Sequence, residues 1–370
     1  MKIALISCGR SDYSIYLPLM KKLTSDKYFD LDLIAFGTHV SRFYDRTVDK
    51  FYEDGFNVAY EIESIILGDS SEAIASSMGL TMIKFSSIWA KEDYDLIMVL
   101  GDRYEMFSAI ASSVPFNIPV AHLHGGETTL GAIDDKFRHC ITSMSEIHFA
   151  STDKHKARVI EIIGCDKNVY NVGAPALDNL NDIALLSKEE FKSEWDIDLS
   201  HPTVLTTFHP ETVALEKNET YVKELIRAID HIDKQFVITL PNNDTMGTMI
   251  RQYLTEYAQN HPEKCHMVEV LGTVGYYSCM KHCDYLLGNS SSGIIEAASF
   301  NKYVINLGDR QKGRDSGGNV LHVKIDHEAI LDAADKIENM PVYEGGNIYG
   351  DGTATGKIIK AIKQFDDGNK

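Results

Sequence analysis

Short apolar runs alternate with longer amphipathic segments along the chain. In the first half, runs rich in valine, isoleucine and leucine predict strands at Ile3–Cys8, Leu31–Phe36, Leu96–Leu100, Val120–Leu123, Ile147–Ala150 and Val169–Val172. The segments between them, such as Glu72–Lys91 and Asp134–Ser145, carry apolar residues at helical spacing. Continuous apolar strands joined by helices are typical of a parallel sheet with helices on both faces. The pattern therefore predicts an α/β fold.

A second series of the same kind begins near residue 201, with strands predicted at Thr203–Phe208, Phe236–Leu240, Met267–Leu271, Tyr285–Leu287, Tyr303–Leu307 and Val320–Ile325. Residues 179–200, between the two series, are polar and acidic and include the pattern of one helix. We therefore expect an N-terminal Rossmann-like domain over residues 1–178, a linker over 179–200 and a C-terminal Rossmann-like domain over 201–352.

Polar clusters follow the predicted strands in both halves. In the first half they are GRSDYS (Gly9–Ser14), GDRYE (Gly101–Glu105) and HGGE (His124–Glu127). In the second half they are TTFHPE (Thr206–Glu211), PNND (Pro241–Asp244), GNSSSGIIE (Gly288–Glu296) and GDRQKGR (Gly308–Arg314). Ligands of doubly wound folds bind beyond the carboxyl ends of the strands. We therefore expect one binding site in a cleft between the two domains.

Composition narrows the class of ligand. The chain has 370 residues, enough for two separate cores, and a net charge of −18. Nucleic-acid binding needs cationic surface, so we expect no nucleic-acid partner, whereas a small anionic ligand needs only a local patch. No apolar run is long enough to span a membrane, and the six cysteines are scattered. We therefore expect a cytoplasmic protein with reduced thiols rather than a zinc site.

The second half carries the features of a diphosphate site. Ser290, Ser291, Ser292 and Gly293 open a predicted helix, where hydroxyl and backbone N–H groups favour an anion, although a simple serine cap explains them equally well. Further cations come from Arg10, Arg310 and Arg314, whose guanidinium groups suit diphosphate oxygens. His209 has either a structural role or a role in binding. Glu296 faces either a ribose or solvent.

The segment HLHGGETTLGAIDDKFRH, from His122 to His139, raises the question of metal or proton chemistry. His122 and His124 alternate at strand spacing and point to opposite faces, which argues against a shared metal. Asp134 and Asp135 could merely favour the start of a helix. Carboxyl groups at three strand-end loops, those of Asp102, Glu127 and Asp134, together with imidazoles, instead indicate acid–base catalysis.

The chain resembles the hydrolysing UDP-N-acetylglucosamine 2-epimerases of bacterial sialic-acid-type synthesis. The resemblance lies in the order of its motifs, which are GRSDY, GDRYE, HLHGGE with IDDKFRH, FHPET, GNSSSGIIE and GDRQKGR. The resemblance covers almost the whole chain. It implies a glycosyltransferase-B-like fold with the nucleotide sugar between two Rossmann-like domains. It also implies that a last helix, at about Thr353–Phe365 within residues 353–370, packs back on the N-terminal domain.

The implied reaction removes the C2 proton of the sugar, expels UDP to give a glycal, and adds water to release the free 2-epimer. It implies neither a metal nor a nicotinamide cofactor. Residue by residue, the resemblance implies catalytic roles for Asp102, Asp134 and Arg138. It implies UDP contacts for Arg10, His209, Asn242, Ser290, Ser291, Ser292, Gly293, Glu296 and Arg310.

One position departs from the common pattern of the family. Many members read H-x-E-G-G-E, with the first glutamate catalytic, and this chain has His124 there. Some members also carry histidine. Either His124 or Glu127 then performs the proton transfer, and our hypothesis is that His124 acts as the acid/base with Asp134 as its partner.

Several alternative functions are compatible with the same motifs. The same chemistry could act on UDP-2,4-diacetamido-2,4,6-trideoxyglucose on the legionaminic acid route, although UDP-N-acetylglucosamine is favoured. A non-hydrolysing 2-epimerase, a glycosyltransferase of the same fold, and an inactive nucleotide-sugar sensor are further alternatives. The resemblance implies a homodimer or homotetramer, for which the helix over 72–91 is a candidate contact.

Overall fold

The computed structural model describes residues 1–44, 46–68, 70–128, 133–211, 215–240, 247–269 and 271–369. The chain divides into two compact units. Unit 1 comprises Met1–Asp182 and Tyr349–Lys370, and unit 2 comprises Ile183–Ile348.

The strands of unit 1 are β1 (Lys2–Ser7), β2 (Asp30–Phe36), β3 (Val58–Ile62), β4 (Leu96–Leu100), β5 (Val120–Leu123), β6 (Ile147–Ala150) and β7 (Val169–Asn171). The strands of unit 2 are β8 (Thr203–Thr207), β9 (Gln235–Thr239), β10 (Cys265–Val268), β11 (Tyr285–Gly288), β12 (Tyr303–Leu307) and β13 (Val320–Val323).

The helices up to the end of unit 1's main segment are α1 (Arg10–Ser25), α2 (Asp49–Glu53), α3 (Ser71–Trp89), α4 (Tyr104–Ser113), α5 (Asp134–Ser143), α6 (Asp153–Ile163) and α7 (Asn179–Asp182). Those that follow are α8 (Lys188–Trp195), α9 (Asn218–His231), α10 (Gly247–Asn260), α11 (Gly272–His282), α12 (Ser291–Ile295), α13 (His327–Glu338) and α14 (Ala354–Asn369). All but α14, which belongs to unit 1, lie in unit 2.

Each unit has one parallel sheet, in agreement with the doubly wound fold predicted from the sequence. The strand order is β3-β2-β1-β4-β5-β6-β7 in unit 1 and β10-β9-β8-β11-β12-β13 in unit 2. Alternate residues of a strand pack into different cores: Ile3 and Leu5 of β1 join one buried cluster, and Ala4 and Ile6 join another. Burial on both faces explains why these strands are continuous apolar runs.

Two strands differ from the sequence prediction. β3 was missed because it is an edge strand whose residues alternate between half-buried and exposed positions, so it has no apolar run. β10 covers Cys265–Val268, two residues earlier than the predicted Met267–Leu271. Edge strands have only one neighbour, so tertiary pairing rather than composition sets their limits.

The stretch 179–200 is not a free linker. Residues 179–182 belong to unit 1, and the remainder belongs to unit 2. Phe191 of α8, Ile197 and Leu199 are at most 3 % exposed and lie in a buried cluster of unit 2. The burial of these apolar side chains holds the segment in the core of unit 2.

The last helix packs within unit 1. The carboxylate of Asp178 accepts hydrogen bonds from the backbone N–H groups of Ala354 at 2.9 Å and Thr355 at 2.7 Å, which caps α14. Ile358 and Ile362 are fully buried in the same core as β1. Among the described residues, no helix combines the length and the apolar character needed to cross a bilayer.

Candidate active site

In unit 1, the turn after β1 is shaped by Asp12. Its carboxylate, only 5 % exposed, accepts hydrogen bonds from the backbone N–H groups of Cys8 at 2.9 Å and Gly9 at 3.1 Å. Burial raises the pKa of Asp12, and the two N–H groups act in the opposite direction. Because these contacts hold the turn, Arg10 is exposed as the first residue of α1.

Arg138 connects residues from two loops of unit 1. It is on α5, is 5 % exposed, and forms an ion pair with Asp102, which follows β4. Its Nη1 donates to the carbonyl oxygen of His124 at 2.8 Å and lies 3.8 Å from Oε2 of Glu127. The structure therefore brings Asp102, His124, Glu127 and Arg138 into one cluster at the carboxyl ends of β4 and β5.

His124 has a left-handed backbone, with φ of 64°. This conformation costs a non-glycine residue about 1–2 kcal/mol, and it turns the chain sharply at the end of β5. The turn lets Nδ1 of His124 approach Oε1 of Glu127 to 2.6 Å. Nε2 of His124 is buried and has no hydrogen-bond partner among the described residues.

Glu127 is held as a carboxylate. Burial alone would raise the pKa of Glu127, but the charge and hydrogen bond of His124, with the charges of Arg138 and His155, hold it well below its ordinary value. A buried carboxylate paired with an imidazole through one nitrogen leaves the other nitrogen available for proton transfer.

Ser151 and His155 were not identified from the sequence. Oγ of Ser151 donates to Oε1 of Glu127 at 2.7 Å and lies 2.9 Å from Nδ1 of His155. Ser151 directly follows β6, so the strand-end rule used for the other clusters would have included it. Gly126 allows the loop that carries Glu127 to approach the backbone of His155 closely. Its φ is 78°, and a Cβ atom there would lie 2.2 Å from the carbonyl oxygen of His155.

Asp134 lies at the first position of α5, and its predicted role as the partner of His124 in proton transfer stays a prediction. The carboxylate bound to His124 is that of Glu127, which the turn at His124 brings back within the same loop. Burial first, and the charge of Asp102 second, raise the pKa of Asp134. The carboxyl groups of Glu127 and Asp134 therefore have pKa values shifted in opposite directions.

His122 has a structural environment. Its Nε2 lies 2.8 Å from the carbonyl oxygen of Gly101, and Nδ1 lies 3.2 Å from the hydroxyl of Thr142. Burial lowers the pKa of His122 to about 3, so the ring is neutral. His122 and His124 thus have separate sets of partners.

In unit 2, Asn289 connects three of the loops. Its side chain accepts from the backbone N–H of His209 at 2.7 Å and donates to the carbonyl oxygen of His209 at 2.8 Å. The backbone carbonyl oxygen of Asn289 accepts hydrogen bonds from the side chains of Arg310 at 3.0 Å and Gln311 at 2.9 Å. Asn289 and Gln311 were not among the predicted site residues, although both lie inside quoted motifs.

The serine-rich loop follows β11 directly. Ser290 caps α12, with Oγ accepting from the backbone N–H of Ser292 at 3.3 Å, and Ser291 is the first residue of that helix. Gly288 has φ of 147°, and a Cβ atom there would lie 2.0 Å from the carbonyl oxygen of Thr207. Gly293 allows close packing, since a Cβ atom would lie 2.9 Å from Val304. The glycines therefore hold the serines against β8 and β12.

Glu296, at the end of α12, is 8 % exposed, and its Oε2 is buried without a hydrogen-bond partner in the described structure. Burial raises the pKa of Glu296 to about 7, against the effects of the Ser292 hydroxyl and the charge of Arg314. An unsatisfied buried carboxyl oxygen is costly unless a ligand hydroxyl can pair with it.

A cavity of about 360 Å³ lies beside this loop, lined by Thr239, Leu271, Gly272, Thr273, Tyr276, Tyr277 and Ser292. Burial raises the pKa of Tyr276 to about 12, while the hydroxyls of Thr207, Ser292 and Ser290, which contact the phenol, lower it. Tyr276 was missed because an aromatic residue on an amphipathic helix has no distinguishing pattern. Aromatic side chains together with hydroxyl groups are typical of the walls of small-molecule sites.

Glu211 links the loop after β8 to the loop after β12. Its Oε1 accepts from the backbone N–H of Asp309 at 2.6 Å, next to Arg310. Arg310 is exposed and faces Asn289 through Nη1. Asn242, the remaining predicted UDP contact, lies outside the described residues.

One group of potential metal ligands occurs among the described residues, formed by Glu224, Asp326 and His327. His327 Nδ1 lies 2.6 Å from Glu224, so a hydrogen bond between the two side chains explains this arrangement. It belongs to α9 and the start of α13, and it includes none of the predicted site residues.

Comparison with known proteins agrees with the fold and identifies the family. The family model described as UDP-N-acetylglucosamine 2-epimerase matches residues 21–363. A relative from Legionella pneumophila, named UDP-N,N'-diacetylbacillosamine 2-epimerase (hydrolyzing), is 32 % identical over 98 % of this chain and 95 % of its own length. A Campylobacter jejuni protein, named GDP/UDP-N,N'-diacetylbacillosamine 2-epimerase (hydrolyzing), is 33 % identical over 91 % of this chain and 88 % of its own length.

Among solved structures, the UDP-GlcNAc 2-epimerase of Neisseria meningitidis bound to UDP-GlcNAc has a TM-score of 0.81 at 19 % identity, over 98 % of this chain and all of that one. The fold and the family model thus define an enzyme of the glycosyltransferase-B-like class that acts on nucleotide sugars. More narrowly, the chain belongs to the UDP-N-acetylglucosamine 2-epimerase family, which confirms the resemblance drawn from its motifs.

Proposed function

We propose that the protein is a hydrolysing 2-epimerase of a UDP-linked 2-acetamido sugar. The observation that carries the proposal is the pair formed by His124 and Glu127, in which Nδ1 is bound at 2.6 Å and Nε2 has no partner among the described residues. An epimerase must remove a proton from carbon, and a neutral imidazole nitrogen held by a carboxylate is suited to that step.

The reaction is proposed to run in two steps. Nε2 of His124 takes the C2 proton while the C1–O bond breaks, and the electron pair leaves with UDP, which produces a glycal. Water then adds its oxygen to C1, and a proton is delivered to C2 from the opposite face. The second proton of the water and the proton held by His124 pass to solvent, which reprotonates the group that supplied the proton to C2. Asp134, whose pKa is raised, is suited to supply the proton delivered to C2, whereas Glu127 stays ionised.

Unit 2 is proposed to bind UDP. The serine hydroxyls and Arg310 suit the diphosphate. Oε2 of Glu296, a buried atom with no partner in the described part of the chain, suits a ribose hydroxyl. The neighbouring cavity of about 360 Å³, with Tyr276 and Tyr277 on its wall, suits the uracil ring. His209 and Asn242 keep their predicted roles beside UDP.

Two UDP-sugars are candidates for the substrate. The resemblance of the motifs favours UDP-N-acetylglucosamine, with N-acetylmannosamine as product. The relatives at 32 % and 33 % identity are both named for the diacetamido sugar diacetylbacillosamine, which favours the alternative. In either case the product is a free 2-epimer of the kind consumed in nonulosonic acid synthesis, and the enzyme is proposed to act in the cytoplasm.

The deciding experiment is proton NMR of the purified protein with each UDP-sugar in D2O without added metal. We expect UDP release together with a free 2-epimer that carries deuterium at C2. A UDP-linked epimer without UDP release would instead identify a non-hydrolysing epimerase. UDP release only when an acceptor is added would identify a transferase, and binding of both sugars without turnover would identify a sensor.

We also propose a homodimer or homotetramer, as the resemblance implies. In support, α3 carries Ile83, which is 68 % exposed, and the preceding segment carries Leu67 at 51 % and Ile66 at 43 %. Large apolar side chains that are exposed on the surface are typical of protein contacts.

A further inference from the structure

The cluster in unit 1 continues beyond the residues that the proposed reaction uses. A hydrogen-bonded series leads from His124 through Glu127 and Ser151 to His155, with separations of 2.6, 2.7 and 2.9 Å. Ser151 is fully buried and His155 is 4 % exposed, so both are shielded from solvent. Neither residue takes part in the two steps described above.

The series has a defined direction. A carboxylate accepts hydrogen bonds only, so Glu127 requires a donor from Ser151 and a donor from His124. A serine hydroxyl has a single proton, which Ser151 donates to Oε1 of Glu127. The contact between Ser151 and Nδ1 of His155 must then be a donation from the imidazole to the hydroxyl oxygen.

The consequence concerns the tautomer of His124. Two donors meet at Oε1 of Glu127, and the one from His124 is Nδ1–H. When the ring of His124 is neutral, its proton therefore sits on Nδ1, and Nε2 carries the lone pair. Nε2 is also the nitrogen without a partner in the described structure. The reactive nitrogen is thus selected by groups on the opposite side of the ring.

The backbone supports the same arrangement. Ser151 lies between β6 and α6, and the backbone N–H of His155 is bound at 3.2 Å by the hydroxyl of Thr152, which caps α6. The carbonyl oxygen of His155 packs against Gly126 so closely that a Cβ atom there would lie 2.2 Å away. The start of α6 is therefore rigidly apposed to the loop that carries His124 and Glu127.

We infer that Ser151 and His155 are positioning residues, which orient Glu127 and thereby hold His124 in the tautomer whose Nε2 accepts the substrate proton. This inference rests on the proposed function for its catalytic consequence, but its structural part concerns the protein alone. Neither residue is expected to touch the sugar.

Ser151→Ala removes the donor to Glu127 and breaks the series. We expect kcat to fall about 10- to 100-fold, the effect of losing one hydrogen bond to a charged group, with KM little changed. The matched control is Ser113→Ala, which deletes a buried serine hydroxyl bonded at 2.8 Å to the carbonyl oxygen of Ile110 and should retain full activity.

His155 offers a sharper comparison. The amide nitrogen of asparagine can stand in for Nδ1–H of histidine, whereas that of glutamine lies near the position of Nε2. We therefore expect His155→Asn to retain most of kcat and His155→Gln to lose it to the extent of Ser151→Ala. Equal activity of both variants, or loss in both, would contradict the inferred donation from Nδ1.

The tautomer itself is measured by NMR of protein with ¹⁵N-labelled histidine, with the signals of His124 identified from the spectrum of His124→Gln. We expect the Nδ1–H form in the parent at pH values where the ring is neutral, and a mixture with the Nε2–H form in Ser151→Ala. An unchanged tautomer in Ser151→Ala would overturn the inference. This result stands whether or not either UDP-sugar is turned over, so it is separable from failure of the proposed function.

Discussion

The side chain of Asn289 is hydrogen bonded twice to the backbone of His209, accepting from its N–H at 2.7 Å and donating to its carbonyl oxygen at 2.8 Å. These residues are 80 positions apart, and Asn289 is fully buried. The pair fixes the loop after β8 against the serine-rich loop, so the geometry of the proposed UDP site depends on it.

Asn289→Asp keeps the acceptor but loses the donor, and it leaves a carboxylate facing the carbonyl oxygen of His209. A buried unsatisfied group costs about 1–3 kcal/mol, so we expect UDP to bind at least about 10-fold more weakly in calorimetry. Asn339→Asp is the control, because exposed Asn339 donates to the carbonyl oxygen of Asp335 at 2.8 Å. Unchanged UDP affinity in Asn289→Asp would refute the role of this pair.

His124→Ala removes the proposed base. Proton transfer by a positioned side chain contributes about 10²–10⁴-fold, so we expect kcat to fall about 10³-fold with little change in KM. Glu127→Gln should cost less, since it disturbs the orientation of His124 but leaves the imidazole in place. Near-normal turnover in His124→Ala with none in Glu127→Gln would make Glu127 the base. Exposed His231 on α9 provides the control substitution, His231→Ala.

Arg138→Met leaves Asp102 without its ion-pair partner. Breaking a buried pair costs about 3 kcal/mol, so we expect a lower free energy of unfolding in urea and a loss of activity. The double variant Arg138→Met/Asp102→Asn removes both charges and should recover part of the stability but not the activity. Additive losses in the double variant would show that the two side chains are not coupled.

The raised pKa of Glu296 predicts that the stability of the folded protein depends on pH. The pKa of Glu296 in the folded protein is about 7, raised by burial from an ordinary value of 4.5. The unfolded chain therefore loses this proton first as pH rises, and the folded state loses up to about 3 kcal/mol of stability between pH about 4.5 and 7. Glu296→Gln should be more stable than the parent at pH 8 and little different at pH 4.5. Thermal unfolding at both pH values measures this, and an equal difference at both would contradict the shifted pKa.

Ile83→Glu tests the proposed oligomer. A charge at this 68 % exposed position of α3 should prevent a contact between copies and give the mass of a monomer in light scattering. Val342→Glu, at a position that is 71 % exposed in unit 2, is the matched control and should leave the mass of the assembly unchanged. A parent that is itself monomeric would refute the oligomer.

Much of the fold could be predicted from the chain alone. The limits predicted for β4, β5, β6 and β12 agree with the structure, because central parallel strands are buried on both faces and must be continuous apolar runs. The polar motifs that follow the predicted strands also contain most of the residues that the structure groups around Arg138 in unit 1 and around Asn289 in unit 2. β3 and the segment around Phe191 were missed or misassigned because edge strands and short buried segments carry weaker patterns.

The sequence by itself determined the two parallel sheets, the family and the types of reactive side chain, since these follow from local composition and motif order. Only the tertiary structure decided that His124 pairs with Glu127 rather than Asp134, and that Ser151 lies behind Glu127. The physical reason is that these contacts depend on a left-handed turn at His124 and on strands packed side by side. Residues 24 positions apart meet there through sheet geometry, which no local pattern encodes.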